Sequence, residues 1–438
     1  MAAITEIIAK PTVITQNSWR PLTICAIGYA TSTHVVSRVR CFAERGHKVF
    51  LITENASPYG IANVVELVPG FDAKLAITKW FQLLSWFCRK VLRIDPDHAW
   101  RAVALLRFLR ACRPDIVHVH FAYSYYGWLA AVLGCRPLVV TVMGGDVLFE
   151  EQGAPTPWGK WLTLKLLESA DHITSKSNYL TEALDRLGGF GHKAERIVWG
   201  IPLEKFRRCD PAALRARLAL SAERRVILSP KILQPLYRVD LVVEAMAEVV
   251  VHCPQTVLLI TEYAPDPTCR AAIAERVEAL ALGDYVKFVG CIEHDDMPAY
   301  YSLAEMTVAV PSSDGLPQTL LEGMACEVPS ILSRLPRYEE IVQHRQSAYF
   351  VDATPESVAA GILTLLDDPA LRIEIARNAF EIVSREGDLT EQAERVEKRY
   401  YELAGTVRPR VFSLRHLVSV ARAFRTWNRS SNALEERA

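Results

Sequence analysis

The chain has 438 residues, half of them hydrophobic, and its 50 basic and 50 acidic residues cancel to a formal net charge of zero. Such a length exceeds what a single hydrophobic core organises and predicts two domains, and the hydrophobic share excludes extensive disorder. Zero net charge removes any whole-protein argument for nucleic acid as a partner, so charge has to act locally.

The opening MAAITEIIAKPTVITQNSWR has no basic n-region and no sustained apolar core, and it is not read as a signal peptide. No segment has the roughly 18 uninterrupted apolar residues that a spanning helix requires. The expectation is a protein of the cytoplasm, peripheral at most on the cytoplasmic face of a membrane. The ten cysteines are scattered without a CxxC pair, which argues for reduced core thiols over zinc or a disulfide framework.

Short β-branched runs then alternate with helical stretches: LTICAI from Leu22, KVFLIT from Lys48, DIVHVH from Asp115, LVVTV from Leu138 and RIVW from Arg196. Between them, KWFQLLSWFCRKVLR, Lys79 to Arg93, interleaves aromatics with four basic residues and no acid. IDPDHAW carries a DxD-like pair, Asp95 and Asp97, read as an Asp-Pro turn that starts a helix at His98. After the turn-like GIPLEKF the alternation resumes with RVILS from Arg225, TVLLIT from Thr256, YVKFVG from Tyr285, TVAV from Thr307 and VPSIL from Val328. Close to the end, VFSLRHLVSVARAFRTWNR puts Arg415, Arg422 and Arg429 on one face of an amphipathic helix. This pattern predicts an α/β protein of two doubly wound, Rossmann-like domains joined near residue 205, with a cleft between them.

In doubly wound sheets ligands bind outside the carboxyl ends of the strands. The informative loops are therefore GYATSTH, HFAYSYYG, MGGD, SPKILQPLYR, EYAPD and PSSDGLPQ. A dinucleotide fingerprint needs GxGxxG after the first strand, and GYATSTH has one glycine, Gly28; the Walker A pattern is missing as well. Hydride transfer and P-loop chemistry both lose their main support.

The run PSSDGLPQTLLEGMACEVPSIL with the following RYEEI resembles the donor-site signature of GT-B glycosyltransferases of family 4, in which an acid, seven intervening residues and a glutamate follow one another. Here these are Asp314 and Glu322. CFAERGHKVFLIT, PDIVHVHF, VVTVMGGD, SKSNYL, IVWGIPLEKF, VKFVGCIEHDDMPAYYSLAEM and VEKRYYEL follow the family's order, so the resemblance covers residues 20 to 405. It implies an N-terminal extension (1–20), an acceptor domain (21–204), a nucleotide-sugar domain (205–388), a helix that crosses back (389–405) and a basic amphipathic tail (406–438).

By the same resemblance, Glu322 accepts from the two ribose hydroxyls of a nucleoside-diphosphate sugar, and Asp314 faces the donor sugar. The N–H groups around Gly315 and Leu316 reach sugar or phosphate oxygens, while Lys231 and Arg238 meet the diphosphate. His120 aligns with a histidine beside donor sugar and acceptor; His118 is placed on the opposite face of its strand. Gly28, His34 and Asp146 are further cleft candidates, and Glu340 is either a matching glutamate or a helix-face acid. Transfer is implied to be retaining, and neither a cofactor nor a metal is expected.

The chain departs from the pattern in carrying Asp314 for the commoner glutamate, Pro317 and Glu327 where glycine is usual, and Lys231 and Arg238 in swapped order with a longer gap. Pro317 favours the first helical turn, and Glu327 is expected just past the helix end, where an L-residue forced to positive φ would be strained, so a different cap geometry is expected. The acceptor is expected to be a glycan or lipid-linked hydroxyl, as in lipopolysaccharide assembly, with an anionic membrane surface as a further partner. A catalytically silent sugar-nucleotide binder or scaffold, and a GT-B epimerase or phosphorylase, stay open as alternatives.

Overall fold

The computed structural model describes residues 20–57, 60–68, 96–153, 156–263 and 265–435. The segment from Lys79 to Arg93 and Asp95 lie outside these residues. The chain divides into two compact units, Met1–Ser175 with Thr181–Glu195 and Ala393–Ala438, and Lys176–Leu180 with Arg196–Gln392.

The elements of the first half are β1 (Thr23–Ile27), α1 (Thr33–Glu44), β2 (Lys48–Ile52), β3 (Val64–Leu67), α2 (Pro96–Cys112), β4 (Ile116–His120), α3 (Tyr125–Leu133), β5 (Leu138–Thr141), α4 (Phe149–Gln152), α5 (Pro157–Ser169), β6 (His172–Ser175), α6 (Asn178–Gly188) and β7 (Ala194–Arg196). Their seven strands form one sheet in the order β3-β2-β1-β4-β5-β6-β7. The second half runs α7 (Ala212–Arg217), β8 (Arg225–Ser229), α8 (Val239–His252), β9 (Thr256–Ile260), α9 (Pro267–Ala279), β10 (Val286–Phe288), α10 (Met297–Leu303), β11 (Met306–Ala309), α11 (Gln318–Ala325), β12 (Ser330–Ser333), α12 (Pro336–Glu339), β13 (Tyr349–Val351), α13 (Pro355–Asp367) and α14 (Pro369–Glu386). Its six strands follow the order β10-β9-β8-β11-β12-β13. Two helices close the chain, α15 (Leu389–Thr406) and α16 (Leu414–Glu435).

Both sheets are parallel and doubly wound, as the apolar runs predict. On β8, Val226 and Leu228 enter one hydrophobic core and Ile227 the other; on β9, Val257 and Leu259 are opposed to Leu258 and Ile260 in the same way. A strand covered on both faces favours apolar residues on each of them, which is why its sequence does not alternate. Among the described residues, four helices start on a Thr-Pro or Asp-Pro pair whose first side chain caps the helix: Thr156, Asp266, Thr354 and Asp368 each accept an N–H from the first turn, and proline occupies the position whose N–H has no partner anyway.

The sequence reading misses β3, β6 and β13. The last two are short, and β6 is polar: Thr174 and Ser175 are buried there with hydrogen bonds to Thr141 and Thr181, and the buried His172 has its Nε2 3.5 Å from Glu195 Oε2. The predicted strand RIVW is displaced, since β7 ends at Arg196. Ile197, Val198 and Trp199 are buried without being a strand, with Trp199 at φ +56°, and Ile201 instead exchanges backbone hydrogen bonds with Gly387 and Leu389. Helix α2 starts at Pro96, two residues before the predicted His98. Of the described thiols, Cys25, Cys41, Cys135, Cys253 and Cys326 are buried, whereas Cys209 and Cys291 are exposed.

Helix α15 is fastened to the first unit through Glu397. Arg45 donates to Glu397 Oε2 from Nη2 at 2.6 Å and from Nε at 3.0 Å, and His47 Nε2 lies 2.8 Å from Oε1. The Leu22 N–H donates to His47 Nδ1, so the ring proton sits on Nε2 and points at the carboxylate. Burial pushes the Glu397 carboxyl up, but the hydrogen bonds from His47 and Arg45 outweigh it and hold the group below its ordinary range. The folded protein therefore binds this proton less tightly than the unfolded chain. The stabilisation is complete above the unfolded value, about pH 4.3, and is lost as pH falls through the folded value. Glu397→Gln is expected to destabilise the first unit by about 2 kcal/mol near neutrality, measured by urea unfolding. The gap to wild type closes in acid; a gap that widens there contradicts this role.

Candidate functional site

In each sheet the strand order reverses once, between β1 and β4 in the first unit and between β8 and β11 in the second. At such a switch point the loops leave in opposite directions and open a crevice beyond the strand ends. Gly28 and His120 stand at the first reversal, Lys231 and Asp314 at the second.

In the second unit, Lys231 Nζ donates to Asp314 Oδ2 at 2.7 Å, and the Tyr338 hydroxyl donates to the same oxygen at 3.0 Å. The ammonium also lies 5.3 Å from the centre of the Tyr237 ring. One helical segment on, Glu322 is buried with both oxygens engaged. His294 Nε2 is 2.9 Å from Oε1, and the Tyr301 hydroxyl donates to Oε2 at 2.8 Å. Each acid thus has one phenol and one basic group. Burial, then the neighbouring carboxylate, pushes the Tyr301 and Tyr338 hydroxyls well above the ordinary phenol range, so both remain protonated donors.

The loop that carries Asp314 is tied at several points. The Ser312 N–H donates to Leu236 O at 2.9 Å, Ser333 Oγ donates to Pro311 O at 2.8 Å, and the buried Lys176 reaches Leu316 O at 3.0 Å. Arg337, buried to 1 %, donates from Nη2 to Ser313 Oγ at 3.2 Å and stacks over the Tyr179 ring. Among the described residues nothing accepts from the N–H groups of Gly315 and Leu316. These two backbone donors and the ammonium of Lys231 suit oxygen-rich, anionic ligands.

Pro317 is the N-cap of α11 rather than its first helical residue, with φ −75° and ψ 140°. Glu327 follows the helix end at φ +54°, so the left-handed cap geometry is kept despite the L-residue, and the Glu327 and Val328 N–H groups close the last turn on Met324 O and Gly323 O. Arg238 sits at the start of α8 with φ +49°, and no described residue pairs with its guanidinium. Glu340 accepts from the N–H groups of Asn178 and Tyr179 at 2.7 Å each, so its carboxylate caps the start of α6.

In the first unit His120 is buried at the end of β4, and burial followed by His118 holds its pKa well below the ordinary value, so the ring is neutral. His118 corrects the reading of the sequence. Residues two apart share a strand face, and the two imidazoles lie 4.0 Å apart at 32°. His118 Nε2 bonds Thr141 Oγ1 at 2.7 Å while Nδ1 meets the Tyr400 hydroxyl of α15. A Cβ on Gly28 would stand 3.2 Å from both Val35 methyls, tighter than an ordinary contact, so the glycine lets α1 pack close to the end of β1. Asp146 is fully buried and accepts from the N–H groups of Ala122, Met143 and Gly144, which ties the loops after β4 and β5 together. His34 lies in the first turn of α1, half-buried, rather than in the preceding loop.

Tyr301, Tyr338, His294, Lys176 and Arg337 escape the sequence reading. They lie inside or beside quoted segments, MPAYYSL, RYEE, IEHDD and SKSNYL, yet nothing in their spacing says which side chain turns toward which acid.

Two family models match the chain, "Glycosyltransferase Family 4" over residues 31–205 and "Glycosyl transferases group 1" over residues 211–382. A D-inositol 3-phosphate glycosyltransferase of Thermobispora bispora is 27 % identical over 291 residues, 63 % of this chain and 68 % of that protein. The N-acetyl-alpha-D-glucosaminyl L-malate synthase of Bacillus anthracis is 22 % identical over 365 residues, 82 % of this chain and 91 % of that protein. In fold, the chain is similar to Anabaena HepE solved with UDP-glucose, with a TM-score of 0.73 at 15 % identity, covering 87 % of this chain and all of that one.

The left-handed residue after α11 has a direct consequence. Glu327→Gly removes the Cβ from a positive-φ position and is expected to stabilise the second unit by about 0.5–1 kcal/mol, read as a raised urea midpoint. A lowered midpoint would show that the Glu327 side chain contributes more than its backbone strain costs.

Proposed function

Because this chain belongs to the family 4 glycosyltransferases and has the GT-B fold, we propose that it is a retaining enzyme that takes its sugar from a nucleoside diphosphate. The observation that carries the reading is the pair of acids on one loop and helix beyond β11. Asp314 is held by Lys231 and Tyr338, Glu322 by His294 and Tyr301.

In this proposal Glu322 receives the ribose diol, since a carboxylate oxygen that accepts one hydrogen bond keeps a second lone pair for a hydroxyl. Asp314 faces the sugar, with the N–H groups of Gly315 and Leu316 beside it. Lys231, aimed by Asp314, stabilises the diphosphate as it leaves, and Arg238 adds charge at the start of α8. The bond from the anomeric carbon to the diphosphate oxygen breaks while the acceptor oxygen bonds that carbon on the same face. The acceptor proton passes to the departing phosphate oxygen. His120, with Gly28 and Asp146 behind it, is assigned to the acceptor side.

The acceptor is proposed to be a lipid-linked hydroxyl of a cell-envelope glycan. Helix α16 supports a membrane surface as a partner. It packs on α3 and α5 through His416, whose Nε2 lies 2.8 Å from Ala131 O, and through Phe424 against Trp161. Leu414, Val418, Arg415 and Arg422 stay exposed, with Trp158 of α5 exposed as well. The Arg429 side chain lies outside the described residues. The two relatives are named for small hydroxyl acceptors, inositol phosphate and malate, so the assay has a soluble arm and a lipid-linked arm.

Thermal-shift screening against UDP-, GDP- and ADP-sugars, followed by turnover, tests the donor assignment. Glu322→Ala and Lys231→Ala are each expected to lower turnover about a hundredfold or more, and near wild-type rates in both defeat it. A shift without turnover would favour a silent sugar-nucleotide binder. In flotation with anionic liposomes the protein is expected to rise with the vesicles and to fall back at high salt; a protein that never floats removes the membrane partner.

A further inference from the structure

Glu322 is gripped by a chain of contacts that continues past His294. The second ring nitrogen, His294 Nδ1, lies 3.0 Å from Lys205 Nζ. An ammonium has donors only, so Nδ1 must present its lone pair, and the single ring proton must sit on Nε2, where it points at Glu322. A doubly protonated ring would set an N–H against the ammonium. Lys205 thereby selects the tautomer that donates to Glu322. Asp295 fixes Lys205 from the solvent side. Phe206 holds the imidazole by its ring, 5.1 Å away, with the ammonium 5.5 Å from the centre of the same phenyl.

The chemical result is a donor of fixed direction at a buried carboxylate. A lysine placed directly on Glu322 would neutralise it and compete for the lone pairs that a ligand needs. With the charge one ring away, Glu322 keeps its full acceptor strength and a defined orientation. Tyr301, held protonated by burial, does the same at the other oxygen.

We infer that Lys205 and His294 are positioning residues that preset Glu322 for a vicinal diol, so that discrimination between ribose and deoxyribose in the nucleotide depends on both. This rests on the reading of Glu322 given above. The test uses the full chain and isothermal titration with UDP, GDP and ADP, each compared with its 2′-deoxy counterpart. Wild type is expected to prefer the ribonucleotide about tenfold or more, and Glu322→Gln to lose that preference. His294→Ala and Lys205→Met lose most of it as well. His294→Gln, whose amide N–H donates without a choice of tautomer, retains it, and Lys205→Met has a smaller effect in that background. A general loss of structure would weaken both nucleotides alike, and Lys205, a quarter exposed, is the variant that leaves folding intact. If Glu322→Gln loses the preference while His294→Ala and Lys205→Met keep it, the inference is overturned and the reading of Glu322 stands. If Glu322→Gln itself keeps the preference, that reading falls and takes the inference with it.

Discussion

A carboxylate removed from water must be given donors, and the second unit is arranged around two of them. The cost of leaving Asp314 or Glu322 without partners exceeds what any single apolar contact returns. Every element near β11 therefore contributes a polar group: the loop after β8 sends Lys231, α10 sends Tyr301, α12 sends Tyr338, and the loop after β10 sends His294. These bonds fix the loop between β11 and α11, and the backbone donors of Gly315 and Leu316 are fixed with it.

The first unit solves a related problem differently. Around β4 and β5 its buried polar groups are neutral or bonded to backbone: His118 and His120 are kept uncharged by burial, and Asp146 takes three N–H groups from two loops. Arg38 is buried as well, and burial lowers its pKa to about 9, partly offset by Tyr400. The polar chain from Tyr400 through His118 and Thr141 to Thr174 crosses three strands. A parallel sheet with a polar line through it requires each member to find its partner, which helps to specify one register.

The fold was legible because it rests on local rules. Buried parallel strands must be apolar runs, and Thr-Pro or Asp-Pro pairs must start helices. Where those rules were weak, at the polar β6 and the short β13, the strands went unseen. The apolar run after Arg196 misled for the opposite reason: it is buried as a linker whose backbone bonds go to Gly387 and Leu389. At the site, Asp314, Glu322 and Lys231 were singled out by a resemblance to a family whose motifs are carried by spacing along one segment and by position after a strand, which are properties of sequence. The structure sets Lys231 on Asp314 and leaves Arg238 unpaired among the described residues. It also shows Glu340 accepting from the Asn178 and Tyr179 N–H groups as a helix cap.

By itself, the order of residues determined the two doubly wound sheets, the strand-end loops and the spacing of the two acids, because strand burial, capping and chain geometry act over a few residues at a time. Which groups hold the acids was decided by tertiary structure alone. His294 lies 28 positions from Glu322 and Tyr338 lies 24 from Asp314. The direction of a side chain across such gaps is set by how separate elements pack, and the proton on His294 is set by Lys205, a residue still farther away in the chain.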